Sequence, residues 1–181
     1  MLLDPAIDLL FRSAFFALFA SSLAHKVANF TEFQGTTAAY FRGMLSPGTA
    51  IFAISLMVIV GEAIAAAVCI APVDRALRAG AIAGILLLYA VAMGVNLLRG
   101  NTLLDCGCNW GKLLQPVTYV LVWRNLLLSL VALLLALPEG QRPMLALDAA
   151  TVAAGTVLAA LLYAGVNHSL ANAARDYGRS K

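Results

Sequence analysis

Residues 79–98 read AGAIAGILLLYAVAMGVNLL and contain no charged side chain. A helix of about 20 apolar residues is long enough to cross the hydrocarbon core of a bilayer, where it satisfies its own backbone hydrogen bonds. Three further blocks of similar length, residues 49–70, 117–137 and 144–166, each carry a single charged residue. These four blocks predict membrane-spanning helices and argue against an ordinary soluble domain.

The composition and the N-terminal block agree with this prediction. Of 181 residues, 62% are hydrophobic and 12% are charged, whereas about 25% are charged in a typical soluble domain. Residues 5–24 form a further apolar block, which is either a retained helix or a signal peptide cleaved near residues 22–24. Signal peptides begin with a basic region, but this chain begins MLLDPAID, with two aspartates. We therefore expect a retained helix.

The five blocks together predict an all-α integral membrane protein. We expect one domain, residues 1–181, that forms a bundle of transmembrane helices at about residues 5–24, 49–70, 79–98, 117–137 and 144–166. With five spans the termini lie on opposite sides of the membrane. The side that holds the N-terminus is called face A, and the opposite side is called face B.

The connections between the blocks are short except for residues 25–48. This stretch carries aromatic residues that suit either an interfacial segment in the headgroup region or an ordinary loop over the end of the bundle. Pro72 and Pro138 end the second and fourth helices, and Pro116 marks the start of the fourth, because proline is tolerated only in the first turn of a helix.

Two cysteines separated by one glycine, Cys106 and Cys108, lie in the loop between the third and fourth predicted helices, on face B. The remaining cysteine, Cys69, ends the second helix near face A. A span rises about 30 Å, whereas a disulfide needs Cα atoms within about 7 Å, so Cys69 is out of reach. A disulfide between the two loop cysteines closes a small, strained ring that is easily reduced. The spacing favours a redox-active dithiol; the alternatives are a metal site completed by His25 and His168, or a plain structural or unpaired role.

Polar side chains within the blocks are candidate functional residues, because charges in a bilayer are costly and usually pair inside the bundle. Counting along the helices puts Arg12 and Glu62 at similar depths, so we expect them to pair. Arg124 is expected about 11 Å below face B, where a cation under the cysteine loop would favour the reactive thiolate; alternatively, it reaches the interface as an anchor. Asn96 and Asn125 are expected to bridge helices by hydrogen bonds.

Several short motifs occur in an order that resembles the MauE family, a group of DoxX-like membrane proteins. They are HK at 25–26, GEA at 61–63, NLLRG at 96–100, DCGC at 105–108 and RNLLL at 124–128. The resemblance covers essentially the whole chain and implies a role in maturing methylamine dehydrogenase, whose small subunit is rich in disulfides and carries a tryptophan-derived quinone. It also implies a thioredoxin-like periplasmic partner of the MauD type, with Cys106 and Cys108 as the redox pair. The resemblance further implies that the charged residues of the family's motifs correspond to Glu62, Arg99 and Arg124.

Two features of the sequence predict opposite orientations in the bacterial inner membrane. Disulfide chemistry belongs in an oxidising compartment, which favours face B in the periplasm. Basic residues are normally enriched on the cytoplasmic side, and here they are enriched on face B. Those counted on face B are Lys26, Arg42, Arg99, Lys112, Arg175, Arg179 and Lys181. Those counted on face A are Arg75, Arg78 and Arg142. We expect face B in the periplasm, because the resemblance and the dithiol chemistry agree.

Three functions fit these observations. A thiol–disulfide exchange protein would cycle its dithiol against the thioredoxin-like partner, in support of the methylamine dehydrogenase small subunit. Transfer of electrons to a quinone would need a second cysteine pair or a quinone pocket, and the sequence has no second pair. A non-enzymatic scaffold and a small-solute transporter using Arg12 and Glu62 are the alternatives. The lipid bilayer is the expected surrounding, and no nucleic-acid partner is expected.

Overall fold

The computed structural model describes residues 2–42, 48–101 and 117–179. These ranges fold as α-helices with one short 3₁₀ turn and without a β-strand. The helices are α1 (Pro5–Ala28), α2 (Phe30–Tyr40), α3 (Gly48–Ile70), α4 (Arg75–Leu98), α5 (Tyr119–Leu133), which continues into the 3₁₀ turn Leu134–Ala136, and α6 (Ala146–Arg179).

In the described residues, five helices are long and apolar enough to cross a membrane. They are α1, α3, α4, α5 with its 3₁₀ turn, and the part of α6 up to Leu170. The predicted all-α, multi-pass membrane fold is therefore confirmed. Two of the predicted helices were too short at one end. The first continues past residue 24 to Ala28, and α4 begins at Arg75 and not at residue 79.

Side-chain caps explain where α1 and α4 begin. The Asp4 carboxylate accepts from the backbone N–H of Ala6 at 2.9 Å, and Pro5 occupies the first helical position, where its missing N–H costs nothing. The Asp74 carboxylate accepts from the N–H of Ala76 at 2.9 Å and from that of Leu77 at 3.2 Å. These bonds satisfy N–H groups that have no partner within a helix. The cap at Asp74 moves the start of α4 ahead of its uncharged block.

Most of the core lies where α1, α3, α4 and the end of α5 meet. Small side chains on α3 and α4 allow the helices to approach closely, as is common between helices in membranes. The buried apolar residues of this cluster are Phe15, Phe19, Ala65, Ala66, Val68, Cys69, Ala79, Ile82, Ala83, Ile85, Leu86, Ala132 and Leu135. Among the described residues α4 packs most extensively on α5, whereas α6 packs mainly on α1.

The stretch between α1 and α3 contains a helix that neither sequence interpretation anticipated. Phe30, at the start of α2, packs edge to face on Phe52 of α3, with the ring centroids 5.8 Å apart. Tyr40, at its end, packs against the second buried cluster, which contains Leu97 near the end of α4. The two ends of α2 thus contact α3 near its start and α4 near its end, both at face B.

At face A, polar contacts tie the N-terminus to the connection between α5 and α6. The backbone N–H of Leu3 donates to the carbonyl of Pro138, and the N–H of Gly140 donates to the carbonyl of Leu3, both at 2.8 Å. The Arg142 guanidinium donates to both oxygens of Asp4 at 2.7 and 2.9 Å. The bond from Arg142, together with that from a backbone N–H, lowers the pKa of Asp4. Arg142 also bonds to Asp148, and these two carboxylates raise its own pKa.

Candidate functional site

A buried ion pair lies between α1 and α3. The Nζ of Lys26 is 2.7 Å from the Oε1 of Glu62, and the two side chains are only 2% and 1% exposed. Two hydroxyls donate to the same carboxylate oxygen, Ser22 Oγ at 2.8 Å and Tyr89 OH at 2.6 Å. The Lys26 ammonium also donates to Ser22 Oγ at 2.6 Å. The cluster of Ser22, Lys26, Glu62 and Tyr89, called the buried polar cluster below, joins α1, α3 and α4.

The helical spacing of the sequence builds this cluster. Ser22 and Lys26 are four residues apart and so lie on one face of α1. The Lys26 ammonium also lies over two aromatic rings, 5.4 Å from the centroid of Phe33 and 5.5 Å from that of Tyr89, which is a favourable arrangement for a cation out of water. The second carboxylate oxygen of Glu62 has no hydrogen-bond partner within the described ranges. Such an atom is costly to bury.

The predicted pair of Arg12 with Glu62 is wrong. The Arg12 Nε donates to the carbonyl of Cys69 at 2.7 Å, and its NH1 lies 3.7 Å from the Asp8 carboxylate on the same helix. The depth count failed because it ended the first helix at residue 24, whereas α1 continues one turn further to Ala28 and so holds Arg12 closer to face A. Arg12 therefore lies near the face A end of α3, and Lys26 takes the expected place opposite Glu62.

A cavity of about 530 Å³ lies beside the buried polar cluster, walled mainly by α1, α5 and α6. Its lining is mostly apolar. The apolar side chains include Phe11, Phe15, Leu18, Leu86, Leu128 and Val131. The polar side chains include Ser22, Glu62, Tyr89, Arg124, Asn125, Tyr163, Asn167 and His168. The cavity is thus amphipathic, and Glu62 of the buried polar cluster contributes to its wall.

Arg124 points into the bundle. Its NH1 donates to the Oδ1 of Asn167 on α6, and its guanidinium lies 4.9 Å from the centroid of the Tyr163 ring. These contacts join α5 to α6 at the polar part of the cavity. The expectation that Arg124 reaches the interface as an anchor does not match this arrangement, and its predicted effect on a loop thiol remains a prediction.

Asn96 and Asn125 do not bridge helices in the part of the chain that the structure describes. The Asn125 amide donates to the carbonyl of Leu121, one turn earlier on α5, at 2.8 Å. The Asn96 amide donates to the carbonyl of Ala92 at 3.0 Å, and its Oδ1 accepts from the Asn101 amide at 3.3 Å. Asn125 lines the cavity, whereas Asn96 stabilises the end of α4.

The end of α4 has the geometry of a Schellman motif. The N–H of Asn101 donates to the carbonyl of Asn96 and that of Gly100 to the carbonyl of Leu97, both at 3.0 Å. Gly100 has φ +77°, which is favourable only for glycine. The chain re-enters the described residues at Val117, which is buried against the end of α4. Both ends of the connection 102–116 are therefore held at face B.

Cys106 and Cys108 fall outside the described residues, so the predicted redox pair stays a prediction. Cys69 is buried near face A, and its thiol donates to the carbonyl of Ala65 at 3.1 Å. Within the described ranges no three histidine, cysteine or acidic side chains lie close enough to hold a metal ion. His168 lines the cavity, and His25 lies beside Asn29 on α1.

Comparison with known proteins decides the family. The family described as "Methylamine utilisation protein MauE" matches residues 4–138. The chain belongs to the MauE family. It is 35% identical to the methylamine utilization protein MauE of Paracoccus denitrificans over 135 residues, which is 75% of this chain and 71% of the relative. It is 34% identical to MauE of Paracoccus versutus over 165 residues, 90% of this chain and 87% of the relative. No solved structure matches the chain.

The MauE match includes α1 to α5 and the cysteine loop, so the resemblance stated from short motifs is confirmed. The motifs GEA at 61–63 and HK at 25–26 contain Glu62 and Lys26. The contact between these two side chains was not predicted, because Lys26 was assigned to a loop at face B. Ser22 and Tyr89 were not predicted either, although the spacing of Ser22 and Lys26 on one helix face was a usable signal.

Proposed function

We propose that this MauE protein is a membrane thiol–disulfide exchange protein. It would support disulfide formation in the methylamine dehydrogenase small subunit, together with a thioredoxin-like partner of the MauD type. The observation that carries the proposal is the Cys-Gly-Cys sequence of residues 106–108, in a connection whose two ends are held at face B of a MauE bundle.

The position of Cys69 supports this assignment of the redox pair. Its side chain is 2% exposed, and it lies on the last turn of α3, near face A. The connection that contains the loop cysteines begins at the other end of α4. A straight helix of this length rises about 36 Å, far beyond the reach of a disulfide. Exchange at Cys106 and Cys108 therefore occurs between these two thiols or with a partner protein.

The exchange chemistry requires no cofactor of its own. The thiolate of one loop cysteine attacks a sulfur of the partner's disulfide, and the other sulfur leaves as a thiolate. The second loop cysteine then attacks the mixed disulfide, which forms the Cys106–Cys108 bond and releases the partner as a dithiol. Two electrons pass from the loop pair to the partner. The reverse sequence oxidises a substrate dithiol and regenerates the loop pair.

The proposal places face B in the periplasm. Disulfides persist in that compartment and not in the cytoplasm. The count of basic residues favours the opposite orientation, although two of the counted side chains are buried and so do not add charge to a membrane face. Lys26 is buried with Glu62, and Arg78 is buried while donating to carbonyls at the end of α3. Labelling of the loop cysteines in intact cells with a membrane-impermeant maleimide tests the orientation, and protection of both thiols until lysis would contradict it.

A trapping experiment tests exchange itself. With Cys108 replaced by serine, a mixed disulfide with the partner should persist, because the resolving thiol is absent; the Cys106→Ser variant tests the opposite assignment. The adduct is detected on non-reducing gels after acid quenching and identified by mass spectrometry. Cys69→Ser is the matched control and should trap nothing. If neither single variant forms an adduct and the double serine variant still supports the small subunit, the protein acts as a scaffold.

A further inference from the structure

The amphipathic cavity suggests a ligand that the thiol chemistry does not use. Its volume of about 530 Å³ lies within the range of small-molecule sites, about 300–1,000 Å³. Small side chains of α6, among them Ala159, Ala160 and Ala164, form part of its wall. The gap exists because α6 packs mainly on α1 while α5 packs on α4.

The polar groups of the cavity lie at different depths in the bundle, and Glu62 lies deeper than Arg124. Glu62 is about 12 Å of helix from the end of α3 at Ile70 and about 21 Å from its start at Gly48. Its Oε2 is buried and accepts no hydrogen bond from the described residues. Arg124, Asn125 and Asn167, whose side chains carry N–H donors, line the same cavity. The cavity therefore runs from donors about 8 Å along α5 from its start at face B to a carboxylate near the middle of α3.

We infer that this cavity binds the head group and the first part of the tail of a membrane quinone. A quinone is neutral and dissolves in hydrocarbon, so it reaches this depth without the cost of desolvating a charge. Its carbonyl oxygens accept from the donors of Arg124 and Asn167. The hydroxyls of the reduced quinol donate to the unpartnered Oε2 of Glu62. The apolar part of the lining receives the isoprenoid tail.

The depth and the charges disfavour other lipids. A phospholipid head group carries a phosphate that stays at the membrane surface, and it would have to pass about 12 Å or more into the bundle to meet Glu62. A fatty-acid carboxylate could pair with Arg124, but it has no donor to offer Glu62 Oε2. A neutral head group that both accepts and donates hydrogen bonds fits best.

The inference goes beyond the proposed thiol exchange and does not depend on it. The test uses the full-length protein in phosphatidylcholine nanodiscs and a photoreactive azidobenzoquinone with a decyl tail. The labelled peptides are identified by mass spectrometry, and labelling is competed by unmodified decyl-benzoquinone or by decylbenzene, which has the tail without carbonyls. The variant that lacks both loop cysteines should be labelled to the same extent as the parent protein. This variant separates the quinone proposal from the thiol-exchange proposal.

Cavity-filling variants give the matched comparison. Ala160→Trp fills the cavity from α6, whereas Ala153→Trp adds the same side chain at an exposed position of α6 that does not line it. We expect Ala160→Trp to raise the half-saturating quinone concentration by about tenfold or more, which is the effect of losing one good interaction. Ala153→Trp should leave this concentration unchanged. Arg124→Gln should weaken binding while leaving the cavity open. Ala164→Phe replaces Ala160→Trp if that variant does not accumulate.

The expected labelled peptides come from α1, α5 and α6, and decyl-benzoquinone but not decylbenzene should displace the label. Labelling spread evenly over the lipid-facing helices would overturn the inference, as would equal labelling of the two tryptophan variants. Displacement by decylbenzene as effective as by the quinone would show a cavity that accepts any hydrocarbon chain. Loss of labelling only in the loop-cysteine variant would show that quinone binding depends on the loop thiols, which contradicts the inference.

Discussion

The contact between Lys26 and Glu62 allows a quantitative prediction that could not be made from the sequence alone. Replacing Glu62 by glutamine keeps an oxygen that can accept from Ser22 and Tyr89, so the main loss is the charge opposite Lys26. Lys26 is then a buried ammonium with one hydroxyl acceptor, Ser22, and two aromatic rings. Removal of one member of a buried ion pair costs about 3–5 kcal/mol, and we expect Glu62→Gln and Lys26→Met each to lower the free energy of unfolding by such an amount.

The double variant distinguishes pairing from two independent losses. Because Lys26→Met with Glu62→Gln leaves no unpaired charge, it should be more stable than either single variant. The measurement is equilibrium unfolding in mixed micelles with increasing dodecyl sulfate, followed by circular dichroism. Arg12→Gln combined with Glu62→Gln is the matched control, and its losses should add within about 0.5 kcal/mol because these residues do not touch.

Two results would refute this reasoning. Losses from Lys26→Met and Glu62→Gln that add within about 0.5 kcal/mol would show that the two groups do not interact. Strong coupling between Arg12 and Glu62 would instead restore the pair expected from counting residues along the helices. In that case the register of α1 on α3 would be wrong.

Three further predictions follow from the contacts above. Replacing both loop cysteines by serine should abolish accumulation of the methylamine dehydrogenase small subunit on immunoblots while the membrane protein remains present, and Cys69→Ser should spare both. Asp4 has a lowered pKa in the fold, so its bond to Arg142 should stabilise the protein above about pH 4 and fade as the pH falls through that lowered pKa; thermal unfolding from pH 2 to pH 6 should show this loss, and Arg142→Gln should remove that part of the pH dependence. Gly100→Ala should destabilise the end of α4 by about 1 kcal/mol, because its φ of +77° is unfavourable for a residue with a Cβ, and unchanged stability would contradict the Schellman geometry.

The number and type of the helices were predictable because length and apolarity decide whether a segment crosses a membrane. Residues 79–98 contain no charge, and α4 covers all of them. The ends of the helices were less predictable. α4 begins at Arg75 because Asp74 caps it and because Arg78 donates to the carbonyl of Val68, contacts that require α3 to be in place.

The ionic contacts were not predictable from depth alone. Counting residues requires the end of each helix to be known, and the first helix was predicted to end at residue 24 although α1 continues to Ala28. The contact of Arg124 with Asn167 likewise depends on how α6 packs, which no local pattern specifies. The cavity is a gap between packed helices, and so it has no signature in the sequence of any one of them.

The buried polar cluster is difficult to explain as a device for stability. A buried ion pair loses in desolvation much of what it gains in attraction, and apolar residues of similar size often stabilise a fold equally well. The cluster also leaves Glu62 Oε2 without a partner among the described residues, a cost that apolar packing would avoid. The same carboxylate borders a cavity that Arg124 and Asn167 also line. A ligand that donates to this oxygen and accepts from Arg124 or Asn167 would remove that cost, which is why we interpret the cluster as one side of a binding site.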